Sequence, residues 1–428
     1  MTDSATASAS PGVAGRRFYG WKLLAVFWVI LLANLGFPMY GGAFLNSAMA
    51  VELGFSRQTL GLPFSVFLGT VGLASPLVAV LIRRLGIRYT LVLGNACVAV
   101  GALAMGTIVG SGIAATVVFG LVIGFGVASG GNLTAQTAIP RWFIRHRSLA
   151  FAIMLTAAAT GGFIAPPLLN ALIEMFGGSW TLGWFVLAAL AALAALLAGL
   201  LVRESPQEIG QAPDGGDLTE VAVAATVGRR STLSIRSMLH MKRFWVLVFA
   251  SAAATGSFGL MLAHGVANAR DSGYSAAEGA FALSLVSLCG FGGKAIAGAA
   301  GDRSSPAAIW GVLMIAMAVG LAILAVSAQK LGIYGGAAAL GLGFGGVIVC
   351  QPATIAKLFG AIDFAPVASA IYLLQAIAGI LAPWAAGRLF DEFHSYWPGF
   401  LVAALACSVS GVLLLIVLAR SAPGGARS

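Results

Sequence analysis

The sequence predicts an all-α membrane protein in which twelve transmembrane helices form two parallel halves of six helices each. Three observations support this prediction: the composition, the number of long apolar stretches, and a repeat between the two halves of the chain. Of the 428 residues, 59% are apolar and 9% carry a formal charge. Soluble domains are about a quarter charged, and one soluble core cannot absorb this surplus of apolar side chains. The composition therefore excludes a conventional soluble enzyme.

Twelve stretches contain the roughly 20 apolar residues that a helix needs to cross a bilayer. The predicted helices of the first half are 21–43, 60–82, 89–109, 113–139, 148–173 and 182–202. Those of the second half are 244–264, 277–300, 307–327, 333–357, 365–387 and 398–418. The 57 glycines fit this interpretation, because glycine is frequent in membrane helices and lets their backbones approach closely.

Polar segments divide the chain around these helices. We expect a disordered cytosolic leader at 1–17, a first six-helix half at 18–203, a cytosolic central loop at 204–243, a second half at 244–420 and a cytosolic tail at 421–428. The leader is polar and lacks the apolar stretch of a signal peptide. The end of the central loop, 233–244, fits an interfacial amphipathic helix, and a structureless linker fits it equally well.

The distribution of basic residues predicts the orientation. Of the 24 lysines and arginines, 19 lie on the side that carries the leader, the central loop and the tail. Four lie on the other side, and Lys294 lies within a helix. By the positive-inside rule, both termini face the cytosol, and the protein is integral to an inner or plasma membrane. The formal net charge of +10 thus belongs to the loops, and no nucleic acid partner is predicted.

Short motifs recur between the halves in the same order. Gly54-Phe55-Ser56 returns as Gly273-Tyr274-Ser275, and Gly124-Phe125-Gly126 returns as Gly343-Phe344-Gly345, both at an offset of 219. The loops after helices 2 and 8 also match, and a GxxAP motif occurs in helices 5 and 11. Four matches in register predict parallel halves that are related by an axis along the membrane normal.

The loop after helix 8 reads Gly298-Ala-Ala-Gly-Asp302-Arg303. It resembles the G-x-x-x-D-R loop motif of the major facilitator superfamily, at the position where that family has it. In the equivalent loop of the first half, Arg83 stands where the acid is expected. A solvated turn is the alternative interpretation of Asp302 and Arg303. The residues predicted to form the conformational loop motif are Gly298, Asp302, Arg303, Arg84, Gly86 and Arg88.

A narrower resemblance appears at two further places. Phe18-Tyr19-Gly20-Trp21 begins helix 1, and a basic stretch with a small-residue helix runs from Phe143 to Ala152. Both are similar to signatures of the monocarboxylate transporter and oxalate/formate antiporter branch. The resemblance implies a secondary transporter that works by alternating access, with a small organic anion as substrate.

Lys294 is the main candidate for binding that anion. It lies eight residues before Asp302, roughly 12 Å above the cytosolic end of helix 8. Its neighbours one turn away are Gly290 and Gly298, and Ser287 lies two turns away, so its face leaves space for a ligand. An ammonium within the membrane costs at least about 2.5 kcal/mol on insertion scales, and a partner anion offsets this cost.

The sequence offers no acid in a helix core to pair with Lys294. Glu174 and Asp391 lie near the outer ends of helices 5 and 11, and the other acids lie in loops or in the leader. We therefore expect the substrate carboxylate to be the counter-ion. In the related transporters, a cation at this position contacts the substrate carboxylate. The alternative is that Lys294 extends to the interface or into a wet cavity and binds nothing.

Two departures from the related transporters concern coupling. Their proton-carrying acid and their helix 1 lysine correspond to Gly290 and Met39, and the antiporter's second cation has no match near Gln375. One cation favours a monoanion over a dianion. Whether a proton or an exchanged anion is coupled stays open.

Further polar residues lie at cavity depth. Half of them are expected to do no more than hydrogen-bond between helices. With Lys294, the predicted substrate-binding set is Asn34, Tyr40, Asn132, Gln136, Gln351, Tyr372 and Gln375. His264, near the outer end of helix 7, is a candidate proton relay or gate, because histidine is the residue type whose ordinary pKa lies closest to neutral pH. An interfacial hydrogen bond is the alternative role for it.

No nucleophile, phosphate loop or metal cluster is evident, and the four cysteines stand singly, so no catalysis, cofactor, metal or disulfide is predicted. The sequence predicts a functional monomer in the lipid bilayer that carries a small organic monocarboxylate, with a coupled proton or an exchanged anion. Two alternatives remain: an exporter of hydrophobic or drug-like compounds on the same fold, and a ligand-sensing transceptor.

Overall fold

A computed structural model describes residues 18–53, 57–176, 179–216, 234–327 and 329–418. The predicted leader, the predicted tail, residues 217–233 of the central loop and the Gly54-Phe55-Ser56 motif lie outside the described residues. Within the described residues, the secondary structure is entirely helical apart from turns and loops.

Eleven helical segments of the described residues are long and apolar enough to cross a membrane. One of them, Ser75–Thr107, is two helices joined at Gly86, which has a φ of 82° and a ψ of 173°. An L-residue with a side chain is strained at this φ, so glycine permits the tight turn. The first of these helices continues Arg57–Leu73 after a one-residue break at Ala74. The described residues therefore form twelve crossing helices, which confirms the predicted fold class.

We number these helices in chain order. The first half contains α1 (19–52), α2 (57–85), α3 (87–107), α4 (Gly112–Trp142), α5 (Arg147–Met175) and α6 (Trp180–Leu201). The second half contains α7 (Lys242–Asp271), α8 (Ala276–Gly301), α9 (Pro306–Val326), α10 (Lys330–Phe359), α11 (Phe364–Phe393) and α12 (Trp397–Leu418). Several helices continue beyond the predicted apolar stretches. The reason is that backbone hydrogen bonding continues into polar residues, as at Glu52 and Asp271.

Local sequence explains several helix ends and irregularities. α8 begins with a capping box in which Ser275 and Glu278 satisfy each other's backbone N–H groups. Together with the ammonium of Lys330 at 2.6 Å, these bonds lower the pKa of Glu278 from its usual 4.5 to about 2. α1 widens into a π-helix over Leu32–Gly41, which contains Pro38. Proline has no backbone N–H, so one intrahelical hydrogen bond is absent within this stretch.

The two halves repeat the same helix packing. In the first half, the most extensive contacts join α3 with α6, α3 with α4, α1 with α5, and α2 with α4. In the second half, they join α9 with α12, α9 with α10, α7 with α11, and α8 with α10. Each pair of the second half is the equivalent of a pair in the first, as the sequence repeat predicts. Contacts between the halves involve mainly α5 with α8 and α10, and α11 with α2 and α4.

The central loop follows α6 with short 3₁₀ turns at Pro206–Ile209 and Pro213–Gly215. A five-residue helix, Ile235–Leu239, precedes α7. Within this helix, the side chain of Met238 is buried and that of Leu239 is exposed. The amphipathic segment predicted at 233–244 is thus helical over this short stretch, with an apolar side chain packed inward.

Candidate functional site

A cavity of about 710 Å³ lies between the two halves. Its walls come from α1, α2, α4 and α5 of the first half and from α7, α8, α10 and α11 of the second. These are equivalent sets of four helices, so the cavity follows the internal symmetry of the fold. Its size lies within the range of about 300–1,000 Å³ that is typical of small-molecule sites.

The cavity has a floor on the side of the molecule that carries Asp302, which we call the Asp302 side. Five helices each contribute a lining residue that lies six to eight positions from the helix end on the Asp302 side. This spacing corresponds to roughly 9–12 Å along the helix axis. These residues, which we call the cavity floor, are Gln136, Leu155, Lys294, Gln351 and Tyr372. From the floor, the lining extends toward the opposite side as far as Tyr40.

Beneath the floor, the two halves pack together. Asp302 accepts hydrogen bonds from the backbone N–H groups of Ser148 at 2.6 Å and Leu149 at 3.2 Å, at the start of α5. A carboxylate is favourable there because the first N–H groups of a helix have no partner within it. A β-carbon added to Gly298 would lie 2.5 Å from that of Ala152, so α8 and α5 touch at this point. These contacts close the cavity on the Asp302 side.

Lys294 is a partly buried cation on the cavity floor. Its Nζ atom lies 5.0 Å from the centroid of the Phe291 ring, at the distance of a cation–π interaction. The ion pairs that the described residues form are Arg141 with Glu204 and Lys330 with Glu278. Lys294 therefore has no carboxylate partner within the described part of the chain.

Polar side chains around Lys294 are joined by hydrogen bonds. The amide nitrogen of Gln351 donates to Ser251 Oγ at 2.8 Å and to Gln375 Oε1 at 2.7 Å. The hydroxyl of Tyr372 donates to Gln136 Oε1 and thereby links the second half to the first. In these bonds Gln375 and Gln136 use their oxygens as acceptors. Their NH₂ groups are the donors that remain for an anion at the floor.

The walls above the floor are largely aromatic and aliphatic. Phe291 of α8 contacts Phe163 of α5, with their ring centroids 5.9 Å apart. Phe258 and Phe344 stack with centroids 4.1 Å apart and an interplanar angle of 3°. The sequence pattern did not single out these residues or Ser251. Phe291 had a usable signal, because a residue three positions before Lys294 lies on the same helix face.

The structure brings seven of the eight predicted substrate-binding residues to this cavity; Asn34 is not among its lining residues. The seven are Lys294, Tyr40, Asn132, Gln136, Gln351, Tyr372 and Gln375. Asn34 is fully buried and donates hydrogen bonds to Asn95 Oδ1 at 3.1 Å and to the carbonyl oxygen of Gly126 at 3.4 Å. It thus joins α1 to α3 and α4.

His264 does not line the cavity. Its Nε2 atom lies 3.0 Å from the carbonyl oxygen of Pro383, and its ring lies 5.1 Å from that of Tyr396. The first contact joins α7 to α11. This geometry corresponds to the hydrogen-bonding role that the sequence left as the alternative to a relay or gate.

The loop motif of the first half contacts an acid from another segment, which the sequence did not assign to this motif. Glu204, just after α6, accepts a hydrogen bond from the backbone N–H of Arg88 at 2.8 Å and pairs with Arg141 at 3.1 Å. Its carboxylate lies beside Gly86. Arg84 and Arg303 are exposed. The sequence held one indication of this role: Glu204 is the first acid after α6, and it lies on the same side of the molecule as Arg83, which stands where the motif is expected to have an acid.

The described residues form helices joined by turns and loops, and their two symmetry-related halves enclose a central cavity, an architecture typical of multi-pass membrane transport proteins. The family model described as Major Facilitator Superfamily matches residues 26–383. The chain therefore belongs to the Major Facilitator Superfamily, as the loop motif indicated.

Individual relatives agree with this assignment. The Bacillus subtilis (strain 168) protein described as uncharacterized MFS-type transporter YcxA is 23% identical over 406 residues, covering 91% of this chain and 94% of its own. Monocarboxylate transporter 13 of Bos taurus is 25% identical over 414 residues, which cover 93% of this chain and 89% of its own. The crystal structure of the human organic anion transporter MFSD10 matches with a TM-score of 0.69 at 16% identity, and the match covers 93% of this chain and 100% of that one. The second match confirms the resemblance to the monocarboxylate transporter branch.

Proposed function

We propose that this chain is a secondary active transporter that carries a small organic monocarboxylate by alternating access, with Lys294 pairing the substrate carboxylate. The observation that carries the proposal is the position of Lys294, a cation on the floor of the central cavity without a carboxylate partner in the described residues. An anion at that position would offset the desolvation of the ammonium.

The surroundings of Lys294 support one carboxylate rather than two. Lys294 is the one lysine or arginine among the residues that line the cavity, and these include no acid. The amides of Gln136 and Gln375 add neutral donors, which suit the oxygens of a single carboxylate. The relatives add support, because several of them, including monocarboxylate transporter 13 of Bos taurus, are described as monocarboxylate transporters.

Charge neutralisation would couple the substrate to the conformational change. An occupied site has lost most of its net charge, so its enclosure between the halves costs less than enclosure of the unpaired ammonium. The Tyr372 to Gln136 hydrogen bond joins the halves at the same depth and would break when the floor opens. With both termini in the cytosol, as the basic loops predict, the cavity in this conformation opens to the outside.

The test is uptake of labelled monocarboxylates, from lactate and pyruvate to phenylacetate, into proteoliposomes. We expect Lys294→Ala to lower uptake at least about 100-fold, because the buried carboxylate loses its charge partner. We expect Lys294→Arg to retain part of the activity. Uptake under an imposed pH gradient, and uptake with substrate loaded inside, would separate proton symport from anion exchange.

The matched control is Lys330→Ala, which removes a lysine that pairs with Glu278 and does not line the cavity. It should retain uptake. The proposal is wrong if Lys294→Ala transports every acid at the native rate, or if a folded native protein transports none of them.

A further inference from the structure

We propose that the cargo is an amphipathic monocarboxylate, in which one carboxylate is joined to an apolar body the size of an aromatic ring, rather than a two- or three-carbon acid. This inference rests on the proposed function, since it assigns the carboxylate to Lys294. It also specifies the size and the apolar character of the rest of the cargo, and both are inferred from the cavity.

The volume of the cavity leaves room for an apolar body beside the carboxylate. At about 710 Å³, it lies in the range of sites that enclose ligands of drug size. An acid of two or three carbons at the floor would leave most of this space to water. Water in contact with phenylalanine and leucine side chains gains little hydrogen bonding, so its replacement by an apolar group is favourable.

The charged and amide side chains lie mainly toward the floor of the cavity, whereas the higher part is lined mostly by aromatic and aliphatic side chains with the hydroxyl groups of Tyr40, Ser284 and Ser287 among them. Lys294, Gln136 and Gln351 lie at the floor, whereas Phe163, Phe258, Phe344, Leu35 and Leu68 line the higher part. Counted from the helix ends at the rise per residue of an α-helix, these residues of the higher part lie roughly 20–25 Å from the Asp302 side. A ligand with its charge at one end and its apolar surface at the other matches this arrangement.

Two aromatic residues are placed to hold the apolar body next to the carboxylate site. Phe291 lies 5.0 Å from the Lys294 ammonium and 5.9 Å from the Phe163 ring. The second contact crosses from α8 to α5 and thus from one half to the other. A ring inserted beside this pair would contact both halves, with the offset or edge-to-face geometry that aromatic groups prefer.

The experiment is a set of equilibrium binding measurements on the purified full-length protein with acetate, lactate, phenylacetate and phenylacetamide. Each buried methylene group strengthens binding about fourfold. We therefore expect phenylacetate to bind at least about 100-fold more tightly than acetate. Phenylacetamide, which has the same ring without the charge, should bind at least about tenfold more weakly than phenylacetate.

Two variants test the residues that carry the inference. Phe291→Ala should weaken phenylacetate binding about tenfold and weaken acetate binding several-fold less, because only phenylacetate has a ring to pack against Phe291. The matched control is Phe249→Ala, an exposed phenylalanine of α7 outside the cavity lining, which should change neither. Lys294→Ala should remove the preference for phenylacetate over phenylacetamide.

The outcomes separate this inference from the proposed function. If acetate and lactate bind as tightly as phenylacetate and depend on Lys294, the amphipathic cargo is wrong and the proposed function stands. If phenylacetate and phenylacetamide bind equally in the native protein and in Lys294→Ala, both are wrong. Failure of every acid to bind to folded protein also overturns both.

Discussion

Glu204 connects three segments of the first half on the Asp302 side. Its carboxylate holds the turn between α2 and α3 through the N–H of Arg88, and it holds the end of α4 through Arg141. Both partners belong to the same half as Glu204, so these bonds are expected to persist while the halves rock. Asp302 differs, because its bonds to α5 cross between the halves.

We expect Glu204→Ala to lower the free energy of unfolding by about 1–2 kcal/mol. The variant loses a charge-assisted hydrogen bond and an ion pair, and the pair is worth less than a buried one because both side chains are about 30% exposed. The measurement is denaturation of the purified protein in detergent. The control is Glu174→Ala, an exposed acid that hydrogen-bonds to Asn170, with an expected loss under about 0.5 kcal/mol. Equal losses in the two variants would contradict the connecting role of Glu204.

Some residues of the site could be predicted from sequence because helix periodicity fixes them. Lys294 follows from its eight-residue spacing to Asp302, and Gln136, Gln351 and Tyr372 follow from their depth in apolar helices. Glu204 could not be placed in this way, because the path of a loop is not periodic. Asn34 has the same depth and polarity as the lining residues. Its rotation toward α3 and α4 depends on tertiary packing that the sequence of α1 does not show.

At the scale of elements, the contact between the end of α8 and the start of α5 closes the Asp302 side. Gly298 and Gly301 allow the approach, since a β-carbon at either position would meet Ala152 or Ser148 within about 2.5 Å. The capping of α5 by Asp302 lies at the same junction. The sequence predicted the glycine spacing of this motif. It did not show that the partner surface is α5, because the contact joins residues about 150 positions apart.

We expect Gly298→Leu to lower transport at least about tenfold in a protein that still folds. The larger side chain overpacks the α8–α5 contact by about 1–3 kcal/mol and thereby depopulates the state closed on the Asp302 side. The measurement is proteoliposome uptake alongside a melting curve. Gly387→Leu is the control, because a β-carbon there would meet nothing within 4 Å, and it should transport normally. Native transport by Gly298→Leu would show that this contact does not govern closure.

The whole molecule has a symmetry that its loop motifs do not follow. Equivalent helices pack in equivalent pairs, and equivalent sets of four helices line the cavity. The charged junctions differ: an acid of the second half caps α5, whereas the equivalent position in the first half is Arg83. Hydropathy and repeats predicted the symmetric part, because both follow from the lipid environment. The aromatic walls arise from phenylalanines of four helices, and their convergence depends on the tertiary fold.

The present conformation predicts opposite accessibilities for the two sides of the cavity. Ser287 lines the cavity above the floor and is exposed, whereas Ser148 lies below the floor and is 2% exposed. In a chain whose four cysteines are replaced, we expect Ser287→Cys to react with an impermeant thiol reagent added from the side opposite Asp302. We expect Ser148→Cys to react at least about tenfold more slowly from either side, because water does not reach the α5–α8 contact. The measurement is labelling in vesicles of both orientations. A substrate that drives exchange between the two conformations should narrow the difference between the labelling rates of the two variants. Rapid labelling of Ser148→Cys from the Asp302 side alone, with Ser287→Cys protected, would mean that the resting protein is open on the Asp302 side.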